Sequence, residues 1–257
     1  MRRSSRAKLT DASQAELLKW AFATELVDLV KRMPQTTTLD DIAWFEVILP
    51  HIEIVAEHMT DALSDDDLAW AFIGLARFYD GQGLYSAAEP WYAECLAATE
   101  IRFGAEHPNV ATSLNNLASL YDNQGRYDEA EPLLLRALEI RERVLGAEHP
   151  NVATSLNNLG VFYAKRDRLS EAEPLLVRSL HIREQRLGNE HPNTISTRQS
   201  LENVRRDMQS QHQPRKVVSQ PSLTARPRLL RSSQRESLFR RLLRKIVRFV
   251  RRFWTRR

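Results

Sequence analysis

The sequence contains one cysteine, Cys95, and only eight glycines among its 257 residues. A single cysteine forms no internal disulfide and supplies no cysteine-based metal site, and a chain of this kind is typical of the reducing cytosol. No apolar run approaches the roughly 18 residues that suggest a transmembrane helix. The basic N-terminal residues are followed by acidic ones that interrupt any signal-peptide core. We therefore expect a soluble cytoplasmic protein that is not secreted.

Charges of opposite sign are segregated along the chain. Residues 215–257 contain 15 Lys and Arg but one acidic residue, so their net charge is +14. Residues 1–214 have a net charge of −10, although the net charge of the whole chain is only +4. The sequence therefore predicts an acidic body followed by a strongly basic tail.

The body contains an internal repeat of 42 residues. Residues 107–148 and 149–190 are identical at 27 of 42 positions, and residues 65–106 match 107–148 at 16 positions without a gap. Three consecutive copies at a fixed period indicate a repeat architecture, in which each copy is one structural unit.

Each copy is predicted to form two helices. In the middle copy, apolar residues recur at spacings of three and four from Val110 to Tyr121, which predicts a helix that starts near Pro108. A turn is expected at residues 123–125, because Gly125 adopts the left-handed conformation at little cost.

The second helix of the middle copy has its own start and stop signals. Asp128 is a candidate N-cap with Glu131 three residues later, as in a capping box, and Pro132 then falls near the first turn. Gly146 is expected to end this helix, and Gly104 and Gly188 occupy the same slot in the other copies.

Large and small residues alternate along each copy in a pattern that resembles a known family. The positions that carry this pattern are Leu117, Ala118, Tyr121, Gly125, Tyr127, Ala130, Leu134 and Ala137. They resemble the tetratricopeptide repeat, and the 42-residue length with LNNLA, EAEPL and LGAEHPN resembles the kinesin light chain variety. The resemblance covers residues 65–190 and implies an all-α, right-handed solenoid of helix-turn-helix repeats. Asp167 replaces the glycine of the other two turns, so the third copy is expected to be locally weaker.

The flanks are expected to close the stack of repeats. Residues 12–33 and 40–58 predict two helices, the second interrupted by Pro50. Residues 191–208 predict a helix with charged Arg198, Glu202 and Arg205 on its outer side, as a solenoid end requires. The predicted divisions are a basic flexible N-terminus (1–10), a divergent helical cap or degenerate repeat (11–64), three repeats (65–106, 107–148 and 149–190), a capping helix (191–208), a disordered linker (209–237) and a basic amphipathic helix (238–257).

Motifs that carry catalysis are absent from the sequence, which contains no GxxxxGK, HExxH or GxSxG. His107, His149 and His191 recur in register, but successive repeats are displaced by roughly 8–10 Å, whereas metal ligands lie about 2 Å from their ion. We predict a helix-start or packing role for these histidines. Cys95 shares the slot of Ala137 and Ser179, so we expect a small buried residue there. We expect no enzyme activity, no catalytic or metal-binding residue and no cofactor.

The resemblance implies that the first helix of each pair lines a concave surface. In the kinesin light chain family, this surface binds short peptide segments of partners. Asparagine offers a donor and an acceptor, so a ladder of asparagines can hold the backbone of an extended peptide. Alternatively, one asparagine of each pair only bridges adjacent helices. The candidate peptide-binding residues are Arg77, Thr112, Asn115, Asn116, Ser119, Asp122, Asn123, Thr154, Asn157, Asn158 and Lys165.

The last twenty residues predict an amphipathic helix in which apolar and basic side chains occupy opposite halves. Such a helix lies in the interface of an anionic membrane rather than across it. Docking on a protein groove or on the chain's own body, and binding to nucleic acid, which we rank lowest, are the alternatives. The candidate membrane-binding residues are Leu238, Phe239, Arg240, Arg241, Leu242, Arg244, Lys245, Ile246, Arg248, Phe249, Arg251, Arg252, Phe253 and Trp254.

These observations favour a cytoplasmic adaptor that binds a protein or peptide partner and is held at the inner face of a membrane by its tail. The alternatives are a regulatory fragment related to repeat-bearing signalling NTPases and a scaffold whose tail binds nucleic acid. The sequence identifies neither the partner nor the oligomeric state.

Overall fold

The computed structural model describes residues 11–32 and 39–212, and these ranges are helical without a strand. The predicted N-terminal segment 1–10, most of the predicted linker and the predicted helix 238–257 lie outside the described residues. The helices are α1 (Asp11–Lys31), α2 (Leu39–His58), α3 (Leu68–Asp80), α4 (Tyr85–Phe103), α5 (Pro108–Asn123), α6 (Tyr127–Leu145), α7 (Pro150–Ala164), α8 (Leu169–Leu187) and α9 (Pro192–His212), with a 3-10 turn at Thr60–Ala62. The predicted all-α fold is confirmed.

The helices pack in the order in which they occur along the chain. The pairs α3–α4, α5–α6 and α7–α8 are helical hairpins, and the second helix of each pair packs against the first helix of the next. The helix α9 closes the C-terminal end by packing against α8, whereas α1 and α2 pack against each other and against α3. The described residues therefore form a helical solenoid in which contacts run between neighbours. No helix within the described ranges has the length and apolarity needed to cross a membrane.

The three histidines in register begin helices, as predicted. In His107, His149 and His191, the Nδ1 atom accepts a hydrogen bond from the backbone N–H two residues later, at 3.2, 3.1 and 3.1 Å. A proline follows each histidine at the first helical position, where the missing N–H has no intrahelical partner to lose. An imidazole nitrogen thus replaces the hydroxyl or carboxylate oxygen of a common N-cap.

The turn inside each repeat requires a left-handed residue. Gly125 has φ +76°, and Asp167 adopts φ +61° at the equivalent place in the third repeat. A residue with a Cβ is strained in this region, so the expected local weakness of the third copy has a conformational basis. The Oδ1 atom of Asp167 accepts a hydrogen bond from Gln211 Nε2 at 2.7 Å, which ties this turn to α9.

The predicted capping box at the start of α6 is wrong. The helix begins at Tyr127, and the cap residue is Arg126, whose side chain makes no capping hydrogen bond. The Arg126 guanidinium instead binds Glu129 and, in the preceding repeat, Glu89. Glu131 is drawn into the equivalent contact with the next repeat, where it accepts hydrogen bonds from Tyr163 and Arg168. Contacts between repeats therefore take precedence over local capping.

Two other helix boundaries differ from the prediction. The helix α2 continues through Pro50 without interruption. The side chain of Pro50 is exposed, so the carbonyl that loses its N–H partner lies on the solvent side, where water replaces that donor. The helix α9 extends to His212, four residues beyond the predicted cap.

Small residues allow close approach between helices. A Cβ added at Gly160 of α7 would lie 2.8 Å from Leu176 Cγ of α8, and one added at Gly74 of α3 would lie 2.4 Å from Val30 Cγ1 of α1. Gly160 occupies the slot of Ala118, one of the small residues of the repeat pattern, so the first contact fits that pattern. The second contact lies outside the repeat pattern and joins the N-terminal helices to the first repeat.

Candidate peptide-binding groove

A cavity of about 270 Å³ lies between α5 and α7, the first helices of the second and third repeats. It contains seven of the predicted peptide-binding residues, which are Asn115, Asn116, Ser119, Asp122, Asn157, Asn158 and Lys165, together with Val161. The groove therefore brings side chains one repeat apart in sequence to one surface.

The floor of the groove is apolar and was not predicted. It consists of Ala118 from α5, Leu134 from α6 and Phe162 from α7, which are at most 5% exposed. Leu134 belongs to the second helix of its repeat, and the methyl side chain of Ala118 leaves room for it to reach the groove. The pairing of a small residue with a large one across two helices is the signal that identifies this floor in the sequence.

The paired asparagines differ in their surroundings. Asn115 is buried, and its Nδ2 atom donates to the Ala111 carbonyl at 2.7 Å. Asn158 Nδ2 donates to Asn115 Oδ1 at 3.3 Å, so these two side chains bridge α5 and α7. Asn157 Oδ1 accepts from Thr197 Oγ1 at 3.0 Å. Asn116 is half-buried at the groove wall. One residue of the first pair thus serves the contact between repeats, while the other faces the cavity.

Charges at one end of the groove compensate each other. Lys165 Nζ lies 3.0 Å from Asp122 Oδ2, and Arg166 binds the second carboxylate oxygen. Burial raises the pKa of Asp122, but the hydrogen bonds and charges of these two cations outweigh it and lower the pKa below its usual value. The Arg166 guanidinium also stacks on Phe162, 3.5 Å from the ring centre. The groove therefore ends in a fixed cluster of one carboxylate and two cations, in which the carboxylate compensates one of the two positive charges.

The other four predicted residues lie outside the cavity lining. Thr112 is exposed and accepts a hydrogen bond from Arg141 Nη2 at 2.9 Å. Asn123 donates to Asp80 at 3.4 Å, and Thr154 donates to the Pro150 carbonyl at 3.3 Å. Arg77 is half-buried on α3 in the preceding repeat. These side chains extend the same series of first helices beyond the groove.

A buried arginine supports the groove from behind. Arg141 of α6 is 5% exposed, and its guanidinium donates to Thr112 of α5 and to Ser155 and the Asn151 carbonyl of α7. Burial lowers its pKa to about 10, so the side chain remains charged at neutral pH. One side chain thus fixes the relative position of the two helices that form the groove walls.

The buried thiol has no feature of a nucleophile. Cys95 Sγ lies 3.4 Å from Ser113 Oγ, and burial raises the pKa of the thiol to about 11. A thiol with this pKa stays protonated near neutral pH. Among the described residues, no three His, Cys, Asp or Glu side chains are grouped so that they could hold a metal ion.

A solenoid of helical hairpins with a polar groove on its first helices defines the class of helical-repeat binding proteins. The model of the tetratricopeptide-repeat family matches residues 67–140, 109–185 and 151–214, which is more than half of the chain. The chain therefore belongs to the tetratricopeptide-repeat family, and the resemblance drawn from the sequence is confirmed.

Solved structures have the same fold. BtubC (BKLC) from P. vanneervenii is 21% identical with a TM-score of 0.51, over 83% of this chain and 99% of that chain. A putative kinesin light chain from Podosopora anserina, with nearly identical TPR-like repeats, is 22% identical with a TM-score of 0.52, over 77% of this chain and 89% of that chain. The repeats are thus kinesin light chain-like in fold. Among curated proteins, none matches the sequence significantly.

Proposed function

We propose that this protein is a non-enzymatic adaptor that holds an extended peptide segment of a partner in the groove between α5 and α7. The observation that carries the proposal is a cavity with amide and hydroxyl groups on its walls and an apolar floor. Binding sites commonly combine an apolar surface, which supplies affinity, with a few polar groups that orient the ligand. The membership of the tetratricopeptide-repeat family supports a protein or peptide partner.

The polar walls favour recognition of the peptide backbone. Asn116 and Asn157 present both donor and acceptor atoms, which match the alternating N–H and C=O groups of an extended chain. Ser119 is exposed on the same wall and adds a hydroxyl group. The floor of Leu134 and Phe162 then receives an apolar side chain of the peptide. Asp122 compensates one of the two cations beside it, Lys165 and Arg166, so this end of the groove keeps one positive charge and the proposed ligand needs no strong net charge.

The test is selection of peptides from a random phage-displayed library on the full chain, followed by affinity measurements with Val161→Arg. Val161 lines the groove, so an arginine there fills the space between the walls. We expect the selected peptides to lose at least about tenfold in affinity. Val177→Arg is the matched control, because Val177 is 40% exposed on α8 and is not part of the groove. Peptides that bind both variants as tightly as the wild type would contradict the proposal.

We also propose that the C-terminal segment attaches the adaptor to an anionic membrane surface. The support is the sequence of residues 238–257, in which nine basic residues and no acidic residue are combined with ten large apolar ones. A helix of this composition buries its apolar half among acyl chains and places its cations among anionic headgroups. Nucleic acid is a weaker candidate, because binding through arginine alone leaves the apolar half in water.

Co-sedimentation of the full chain with vesicles tests the attachment. We expect pelleting with phosphatidylserine-containing vesicles but not with phosphatidylcholine alone, and loss of pelleting when Ile246 and Phe249 are changed to Asp. Ile101→Asp is the control, since Ile101 is 87% exposed on α4. Equal pelleting of the wild type and the Ile246/Phe249 variant would remove the membrane role. Release by duplex DNA with a steep salt dependence would favour nucleic acid instead.

A further inference from the structure

A second surface with exposed apolar side chains lies at the N-terminal end of the solenoid. A cavity of about 440 Å³ opens between α1 and the segment that contains the 3-10 turn, and Leu17 and Trp20 form its apolar wall. These side chains are 53% and 54% exposed. Large apolar side chains grouped at an open cavity are typical of a site that a partner covers.

The same end of the molecule is strongly acidic. Residues 11–67 contain thirteen acidic and three basic residues, a net charge of −10. Two of the three cations are already bound to carboxylates of this region, Lys19 to Asp61 at 2.6 Å and Lys31 to Asp67. Glu16 lies in the cavity lining beside Leu17 and is exposed. The apolar wall therefore shares its cavity with Glu16 and Asp61 and belongs to a region of the chain with an excess of negative charge.

This combination determines the kind of occupant. A second copy of the same surface brings two regions of −10 together, and an anionic membrane is repelled in the same way. A partner segment with basic and apolar side chains instead places its apolar residues against Trp20 and its cations near Glu16. Tryptophan at the centre of a contact usually contributes a large share of the affinity.

We propose that the cavity bounded by Leu17, Trp20, Glu16 and Ser64 is a docking site for a cationic amphipathic helix of a partner protein. An amphipathic helix presents apolar side chains on one face and basic ones on its flanks, which matches an apolar wall within an acidic surround. The site lies on α1 and the 3-10 turn, whereas the groove lies on α5, α6 and α7. The adaptor therefore has two independent surfaces for two kinds of ligand.

The probe is a fluorescein-labelled synthetic helix of leucine and lysine, about five turns long, titrated into the full chain at low salt. We expect saturable binding that weakens at least about tenfold in the double variant Leu17→Ser and Trp20→Ser. More than half of each side chain is exposed, so this variant retains the fold, which circular dichroism checks. The matched control is Ile101→Ser with Leu135→Ser, which removes exposed apolar side chains from α4 and α6.

Charge is tested separately from apolar contact. Glu16→Lys is expected to weaken binding of the same peptide about three- to tenfold at low salt and less at high salt, because the attraction is screened. Glu139→Lys makes the same charge change at an exposed position of α6 and is expected to have a smaller effect. A peptide with glutamate in place of lysine is expected not to bind.

Three results would overturn the docking site. These are unchanged affinity in the Leu17/Trp20 variant, an equal loss in the Ile101/Leu135 control, or equal binding of the glutamate peptide. These three results do not depend on the groove between α5 and α7, because Val161→Arg does not change the surface at Leu17 and Trp20. Failure of the docking site is thus distinguishable from failure of the peptide-binding proposal.

Discussion

Single residues fix the turns and the contacts between repeats, and Asp167 is the residue whose conformation departs most from its preference. It is the non-glycine residue with positive φ in the described ranges, and the two preceding repeats have glycine at this position. Replacing it with glycine removes the clash of its Cβ, although the unfolded chain gains freedom and the hydrogen bond from exposed Gln211 is lost. We expect Asp167→Gly to stabilise the protein by about 0.5–1 kcal/mol in urea unfolding.

The reciprocal change in the second repeat is the control for this prediction. Gly125 has φ +76° at the equivalent position, so Gly125→Asp introduces the strain that Asp167→Gly removes. We expect a destabilisation of about 1 kcal/mol. If both substitutions change stability in the same direction, the left-handed conformation is not the cause.

The carboxylate of Asp122 gives a pH-dependent contribution. Its side chain is 15% exposed, and Arg166 and Lys165 hold its pKa below the ordinary value of 3.8 in spite of burial. A group with a lowered folded-state pKa stabilises the protein at pH values above its unfolded-state pKa, and the contribution disappears as the pH falls through the folded-state pKa. We expect Asp122→Asn to cost about 1–3 kcal/mol at pH 7.

Thermal unfolding from pH 7 to pH 3 measures this contribution. The difference in melting temperature between the wild type and Asp122→Asn should be constant down to about pH 4 and shrink below it. Glu139→Gln, an exposed change on α6, should show no such trend. A difference that does not depend on pH would mean that the amide disturbs packing rather than removing a charge.

At the scale of helices, the sequence predicts the elements well because repeated local signals reinforce each other. The histidine and proline at the starts of α5, α7 and α9 and the glycine after α4, α6 and α8 each recur three times, which separates them from chance. The start of α6 was mistaken because Arg126 and Glu131 bind residues of neighbouring repeats, and no local pattern reveals such partners. The predicted interruption of α2 at Pro50 was wrong because the effect of a proline depends on which face of the helix is exposed.

The groove shows the same division between local and non-local information. The register of the repeats predicts that residues such as Asn116 and Asn158 share one surface, because equivalent positions of stacked units face the same way. The register does not predict that Asn115 accepts a hydrogen bond from Asn158, since this contact depends on the distance between α5 and α7. The contribution of Leu134 to the floor is non-local as well, because it depends on the small Ala118 of α5 lying beside α6, and the pairing of a small with a large residue is its signal in the sequence.

The attachment of α1 to the first repeat depends on Gly74. A methyl group at this position would lie 2.4 Å from Val30 Cγ1, so Gly74→Ala forces α1 away from α3. The two helices are also held by Lys31 and Asp67, which adjoin the ends of α1 and α3. We expect a destabilisation of about 1–3 kcal/mol that is largest in α1.

Hydrogen exchange followed by mass spectrometry locates this effect. Amides of α1 and α2 should lose protection in Gly74→Ala, whereas those of α7 and α8 should not change. Gly160→Ala is the matched variant at the other end, where the added Cβ meets Leu176, and its loss of protection should fall on α7 and α8. An identical exchange pattern in the two variants would contradict local packing as the cause.

At the scale of the whole molecule, stability depends on coupling between successive repeats. Each hairpin contacts only its neighbours, so an interface between two repeats can weaken while the others persist. Arg141 joins the second and third repeats, since it donates to α5 and α7 from α6 and is almost fully buried. Its removal leaves a cavity and withdraws the donor from Thr112 and Ser155. We expect Arg141→Ala to cost about 2–4 kcal/mol.

The cost should be concentrated at one interface and should reduce cooperativity. After Arg141→Ala, the third repeat and α9 have fewer helices behind them than α1 to α6, so they should unfold at lower urea concentration and give a broader transition. Exchange protection is expected to fall most in α7, α8 and α9, with Glu139→Ala on the same helix as the control. Because the walls of the groove are α5 and α7, the same variant should also weaken the selected peptides. A uniform loss of protection from α1 to α9 would show instead that the solenoid unfolds as one unit. The interface between the second and third repeats could then not weaken separately from the rest.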